Sequence, residues 1–211
     1  MSIAVTSGSR NLHSPTMLRY AITDRALFRG DLSAMLRRLV DIAPSVDYIQ
    51  IRERDLTAAD LEIFTREVLA AIPGGPRVLV NHRADVAVAT DAHGVHLRSG
   101  SDELSSPQIR ELYARSGLPA PTISISCHSL DDVRRVRQAD VDLILFGPVF
   151  EKLISGERVG AGSGVALLRQ ACEIAASTKV LALGGITASR IPACREAGAA
   201  GVAAIRLFLQ Q

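Results

Sequence analysis

The feature that most constrains this chain is a repeated alternation of short apolar runs with longer amphipathic segments. Eight apolar runs can be marked: residues 17–23 (MLRYAIT), 46–52 (VDYIQIR), 77–81 (RVLVN), 94–97 (GVHL), 122–126 (TISIS), 142–147 (DLILFG), 179–183 (KVLAL) and 201–205 (GVAAI). Helical spacing fills the gaps between them, over 31–42, 56–71, 85–89, 106–116, 130–138, 165–177 and 188–197. Thr57 is placed to cap the second of these helices, and Arg206 begins a truncated last one. Strands alternating one by one with helices predict an α/β fold, a single (βα)8 TIM barrel. The alternative is an open doubly wound sheet. It would need fewer strands and a GxGxxG turn after the first, which the Ala21-Ile22-Thr23-Asp24 stretch does not offer. A length of 211 residues suits one barrel. No linker divides the chain, so the expected organisation is a flexible polar tail over 1–16 and a barrel domain over 17–211.

Composition narrows the function. Apolar residues make up 47% of the chain but aromatics only 4%, with no Trp, which argues against a stacking platform for nucleic acid. A net charge of +2 gives no electrostatic reason to expect nucleic acid or a membrane surface as partner. No apolar run is as long as a membrane span, and the first sixteen residues lack the basic start and apolar stretch of a signal peptide. Cys127, Cys172 and Cys194 are widely spaced and form no CxxC pair, so reduced thiols in a cytoplasmic protein are expected.

In a barrel the C-terminal ends of the strands line the active site. Those ends carry Thr23 and Asp24; Gln50, Arg52 and Arg54; Asn81 and His82; His96; Ser124, Ser126 and His128; Gly147 and Pro148; Gly184 and Gly185; and Arg206. Gln50, Arg52 and Arg54 would face one side if the strand persists, and two guanidiniums there suit a phosphate or diphosphate. The competing reading is an internal salt bridge to Glu53, Asp55 or Asp24. Gly184 and Gly185, after the seventh strand, can bring backbone N–H groups and a helix start to a phosphate, with Arg206 adding charge. His96 reads as a satisfied core or rim histidine. His128 has the better catalytic claim, as an acid/base near neutral pH. The Gly-rich stretch 151–164 reads as a long irregular loop, the kind usually retained for function.

These rim residues, in this order, resemble the thiamine-phosphate synthase/TenI family. The stretches that carry the resemblance are 20–24 (YAITD), 48–55 (YIQIRERD), 80–87 (VNHRADVA), 94–97 (GVHL), 124–130 (SISCHSL), 146–150 (FGPVF), 183–187 (LGGIT) and 197–205 (AGAAGVAAI). The resemblance implies a (βα)8 barrel acting in thiamine biosynthesis. In the synthase branch a pyrimidine diphosphate is joined to a thiazole phosphate with Mg2+, releasing diphosphate. In the TenI branch a thiazole carboxylate phosphate is tautomerised without metal. Carried over by position, Gln50, Arg52, Arg54, Asn81, His82, Ser126 and Lys152 form the expected substrate and diphosphate site. Gly184, Gly185 and Arg206 form the phosphate site, His128 and Arg52 are the catalytic pair, and Asp102 is the metal ligand.

The sequence also departs from the family pattern. His82 replaces the Asp that helps bind Mg2+, and a neutral imidazole is a poor ligand for a cation that prefers oxygen. Asp102 is displaced by a residue. Arg54 stands where Lys is usual, Lys152 is out of register with the family's loop lysine, and Arg206 replaces a Ser. Three readings stay open: a divergent thiamine-phosphate synthase with Mg2+, a metal-free TenI-like tautomerase, and a non-catalytic sensor of thiamine precursors. The short last helix would leave an apolar face at 207–209 for a homodimer partner to cover.

Overall fold

A computed structural model describes residues 17–98, 104–154 and 157–210, with only the backbone described over 152–154 and 157–160. Eight parallel strands close a barrel: β1 Leu18–Ile22, β2 Tyr48–Ile51, β3 Arg77–Asn81, β4 Gly94–Arg98, β5 Thr122–Cys127, β6 Leu143–Phe146, β9 Lys179–Leu183 and β10 Gly201–Ala204. The remaining two strands, β7 Lys152–Ile154 and β8 Glu157–Gly160, pair antiparallel outside the barrel. The stretch expected as an irregular loop is therefore largely a hairpin. Its glycines and charges hid the short strand runs from periodicity.

The helices are α1 Leu32–Ile42, α2 Ala58–Ala71, α3 Ala84–Ala89, α4 Ser106–Arg115, α5 Leu130–Val136, α6 Val165–Ala175, α7 Ile191–Glu196 and α8 Arg206–Leu209. Their starts follow local chemistry. The Thr57 side chain accepts from the Asp60 N–H at 3.1 Å, as the sequence predicts, and Asp31 and Ser129 cap α1 and α5 in the same way.

Strand alternation sends one set of residues outward and one inward. Ile49, Ile51, Val78, Val80, Val95, Ile123 and Ile144 pack against the helices with Met35, Leu39, Phe64 and Leu168. The barrel interior is itself divided. Ile22, Leu79, Leu143, Leu145, Leu181 and Ala203 fill it with Tyr20, while Gln50, Asn81, His96 and Ser124 are buried polar groups contributed by β2 to β5. Buried polar groups are tolerated where they bond one another or a ligand. That division points function toward the β2–β5 side of the mouth.

The expected uncovered face at 207–209 does not exist. Phe208 and Leu209 are buried by the chain itself, Arg19 lies over the Phe208 ring at 5.3 Å, and Arg38 donates to the Phe208 carbonyl at 2.7 Å. The argument for a homodimer built on that face falls with it.

Candidate active site

The mouth of β2 is organised by a chain of hydrogen bonds from β1. β2 ends at Ile51, so the two-residue alternation expected to align Gln50, Arg52 and Arg54 stops early, and Arg54 is exposed. Gln50 is buried, and its Nε2 donates to Asn81 Oδ1 at 2.8 Å. Its Oε1 is buried and has no donor among the described residues. The Arg52 N–H donates to Thr23 Oγ1 at 2.9 Å, and the Thr23 hydroxyl donates to Glu53 Oε1 at 2.5 Å. Glu53 Oε2 takes the Arg25 N–H at 3.1 Å, and the Arg25 guanidinium pairs with Asp55. Asp24 accepts from the Ala26 N–H at 3.2 Å. The salt bridges that Glu53 and Asp55 make here are to Arg25, not to Arg52 or Arg54 as the competing reading had it. Among the described residues no ion pair joins Arg52 or Arg54 to a carboxylate. Burial lowers the proton affinity of the Arg52 guanidinium, and Arg54 and Arg98 lower it further against the opposing pull of Asp24 and Glu53.

On the next strands, His96 is buried between two hydroxyls. Its Nδ1 lies 2.8 Å from Ser124 Oγ and its Nε2 2.8 Å from Ser126 Oγ. Ser124 also meets the Tyr20 hydroxyl at 2.9 Å, inside the barrel. Burial first, then repulsion from His82, Arg52 and His128, pushes the His96 pKa down to about 3. With both nitrogens engaged by serines, His96 is a satisfied buried histidine, as its sequence position suggests. His82 stands edge-on to it, with ring centroids 6.4 Å apart, and holds a backbone φ of 61°.

The loop after β9 is a backbone cradle. Gly184 and Gly185 have φ of 94° and 62°, a region costly for residues with a Cβ. A Cβ on Gly184 would lie 2.6 Å from Pro148 Cα, and one on Gly185 2.5 Å from the Glu151 carbonyl oxygen. Both glycines are thus required by close packing against the segment after β6. That packing is bonded: Val149 and Phe150 donate to the Leu183 and Gly184 carbonyls at 2.8 and 3.1 Å. Arg190 donates to the Gly185 carbonyl at 2.7 Å while lying 4.7 Å over the Phe150 ring. Among the described residues no protein acceptor takes the N–H of Gly185, Ile186 or Thr187. Adjacent free N–H groups at a glycine turn suit an anion.

His128 follows β5, and its Nδ1 lies 2.6 Å from the Gly147 carbonyl oxygen. A carbonyl only accepts, so Nδ1 carries the proton and Nε2 of the neutral ring holds a lone pair. The structure brings Gln50, Asn81, His96 and Ser126 into one inward-facing group and puts Arg206, exposed, at the start of α8. Asp102 and the Lys152 side chain lie outside the described residues. Sequence reading missed three contributors, Tyr20, Arg98 and Arg190, and named Glu53 only as a salt-bridge partner. Only Tyr20 carried a signal, an aromatic hydroxyl at an inward strand position.

The Mg2+ implied by the family resemblance meets an unsuitable donor set in the described part of this rim. Asn81 offers an amide and His82 an imidazole, while Glu53 and Asp55 are committed to Thr23 and Arg25. Among the described residues no group of three or more His, Cys, Asp or Glu could hold a metal. A cavity of about 700 Å3 opens at the opposite end of the barrel, lined by Tyr48, Arg77, Arg110, Asp142 and Lys179. It lies at the strand starts, the face barrels devote to stability rather than chemistry.

The family model described as thiamine monophosphate synthase matches residues 19–208. The chain belongs to the thiamine-phosphate synthase/TenI family. It is 33% identical over 189 residues to the thiamine-phosphate synthase of Methanoculleus marisnigri, covering 88% of this chain and 84% of that one. It is 32% identical over 195 residues to the thiamine-phosphate synthase of Methanocella arvoryzae, covering 91% and 87%. The fold matches thiamine phosphate pyrophosphorylase from Pyrococcus furiosus with a TM-score of 0.71 at 23% identity, covering 91% of this chain and 87% of that one. Family membership places the chain in thiamine biosynthesis. No helix among the described residues is long and apolar enough to cross a membrane.

Proposed function

We propose that this protein is a transferase that joins a pyrimidine diphosphate to a thiazole phosphate and releases diphosphate. The observation that carries this reading is the pairing, at the end of β2, of a buried amide oxygen without a donor and a half-buried guanidinium that makes no ion pair with a carboxylate among the described residues. Gln50 Oε1 suits an N–H donor on a heterocycle, and Arg52 with Arg54 suits the diphosphate esterified to it. The N–H groups of Gly185, Ile186 and Thr187 suit the phosphate of the second substrate. In the reaction, the carbon–oxygen bond to diphosphate breaks, the oxygen keeping the electron pair, as the carbon bonds to the thiazole. The guanidiniums hold the charge that collects on the departing diphosphate. Incubating the protein with both substrates and measuring thiamine phosphate and diphosphate tests the reading. No product at high enzyme concentration overturns it.

A second reading has its own support. His128, with Nδ1 fixed on Gly147, presents Nε2 as a base for moving a proton on a thiazole phosphate, the TenI-type reaction. Deuterium exchange into the thiazole from heavy water, lost in His128→Ala, is its expected signature. Exchange that survives the substitution overturns it.

A further inference from the structure

We infer that the cavity at the strand-start end of the barrel is a binding site for a phosphorylated aromatic molecule, held by Arg77, Arg137 and Lys179 around the Tyr48 ring. The site lies at the end of the barrel opposite the mouth and takes no part in the reaction proposed there.

Strand alternation builds it. Leu79 of β3 and Leu181 of β9 fill the barrel interior, so Arg77 and Lys179, two residues earlier on the same strands, belong to the inward face as well. Three strands separate β3 from β9 whichever way the barrel is followed, so these two residues start from opposite sides of its floor. The layer at this end thus carries two cations where a barrel mostly places branched apolar side chains. Register sets Tyr48 beside Arg77 and Leu143 beside Lys179. Tyr48 stacks on Tyr20, with ring centroids 5.6 Å apart, and closes the space toward the core. Arg137, at the C-terminal end of α5, adds a third cation. These groups line a cavity of about 700 Å3, within the range of about 300–1,000 Å3 usual for small-molecule sites.

The charges of the cavity are unequal. Its two carboxylates are committed to one arginine: Arg110 donates to Asp140 Oδ2 at 2.8 Å and to Asp142 Oδ2 at 3.2 Å. Asp142 also accepts the Ile123 N–H at 2.7 Å, and Asp47, next to Tyr48, accepts the Arg19 N–H at 2.7 Å. Arg77 donates to the His93 carbonyl at 3.2 Å. Among the described residues no ion pair joins Arg77, Arg137 or Lys179 to a carboxylate. Residues 1–16 contain no Asp or Glu, so they bring no side-chain carboxylate to these cations. Like charges that converge on one cavity are unfavourable unless an anion joins them. A phosphate monoester carries about −1.5 to −2 near neutral pH, which answers three cations better than a single carboxylate does. Arginine offers it a fork of two N–H groups, and lysine a point charge. The Tyr48 ring offers an aromatic surface beside these cations. Burial raises the Tyr48 pKa against the opposing pull of Arg77, so its hydroxyl stays protonated and can donate.

Amide chemical shifts of the isotope-labelled full-length protein, titrated with phenyl phosphate, test this. The amides of Tyr48, Arg77 and Lys179 should shift and saturate, resolved from any response at Gly185, Ile186 and Thr187. Inorganic phosphate, which lacks the ring, and benzoate, which lacks the second charge, should each bind this end at least about threefold more weakly. The double variant Arg77→Ala/Lys179→Ala should weaken phenyl phosphate binding here by about tenfold and leave the response at Gly185, Ile186 and Thr187 unchanged. Lys179→Ala alone removes an exposed side chain with no described bond, so it keeps the fold, and it should cost about threefold in affinity. A response confined to Gly185, Ile186 and Thr187, no saturable shift at all, equal affinity for inorganic phosphate or benzoate, or a Lys179→Ala affinity equal to the parent's would each overturn the assignment.

Discussion

His96 Nε2 lies 2.8 Å from Ser126 Oγ, the last link of a hydrogen-bond chain that begins at the Tyr20 hydroxyl in the centre of the barrel. The chain has a direction. Among the described residues the fully buried Tyr20 hydroxyl meets only Ser124, and leaving its proton unbonded would cost about 1–3 kcal/mol. Tyr20 therefore donates to Ser124, Ser124 donates to His96 Nδ1, and His96 Nε2–H donates to Ser126. The Ser126 proton is left to point toward the mouth as a donor. At neutral pH, long-range proton–nitrogen spectra should show His96 in the Nε2–H form alone. In Tyr20→Phe, Ser124 can either donate or accept, and a second tautomer should appear.

The same burial makes stability depend on pH. The folded His96 pKa of about 3 lies below the 6.5 of an unperturbed imidazole. Below pH 6.5 the unfolded chain binds a proton that the native chain refuses. The stabilising effect of keeping His96 neutral is complete above pH 6.5 and is lost as pH falls toward 3. The slope contributed by this residue approaches about 1.4 kcal/mol per pH unit within that window. His93, also lowered by burial and by Arg77, acts in the same direction. Urea unfolding between pH 4 and 7 should show a shallower slope in His96→Asn than in the parent, and an equal slope would remove His96 as the source.

The cradle predicts a sharp intolerance. At Gly184 a methyl group would need both a φ of 94° and room where the Pro148 backbone already lies. Gly184→Ala should lose about 1–3 kcal/mol of stability, seen as a fall in Tm. Arg190→Ala should act differently. It frees the Gly185 carbonyl and uncovers Phe150 without touching the N–H groups themselves, so inorganic phosphate affinity should fall severalfold while Tm moves by only a few degrees. An unchanged phosphate affinity would mean that Arg190 does not position this loop.

The barrel was legible in the sequence because its signal is repeated. Runs such as KVLAL and GVAAI are too apolar for a half-solvated strand, and eight of them alternating with helices leave little topological freedom. The rim was legible wherever strand alternation holds, as it does for Gln50, Asn81 and His96. It failed one step beyond, at Arg54, because periodicity cannot tell that β2 stops at Ile51 once Thr23 has captured the Arg52 N–H. Arg98 was missed for the opposite reason: β4 runs one residue past the apolar run GVHL. The burial of Phe208 depends on contacts between distant segments, which local pattern does not record, whereas the strands at 152–154 and 157–160 are simply too short to show a period.

The bond from Thr23 to Glu53 makes a last prediction, because it fixes where β2 ends. Thr23 Oγ1 accepts the Arg52 N–H and donates its own proton to Glu53, so its hydroxyl stands between the backbone of one strand end and a buried carboxylate. Glu53 in turn holds the Arg25 N–H and, at 3.9 Å, its guanidinium. Thr23→Val keeps the shape but removes both bonds, leaving a buried Glu53 oxygen and the Arg52 N–H without partners. Glu53→Gln retains an acceptor and loses the charge. Removing a partner from a buried charged group costs about 3–5 kcal/mol, whereas a neutral exchange that keeps the hydrogen bond costs about 1 kcal/mol. Denaturant unfolding should therefore rank Thr23→Val as the more damaging change. The double variant should be less destabilised than the sum of the two, since the unpaired charge is gone. Strict additivity would show that the hydroxyl and the carboxylate act independently, and that the turn holding Arg52 at the mouth is set by the backbone alone.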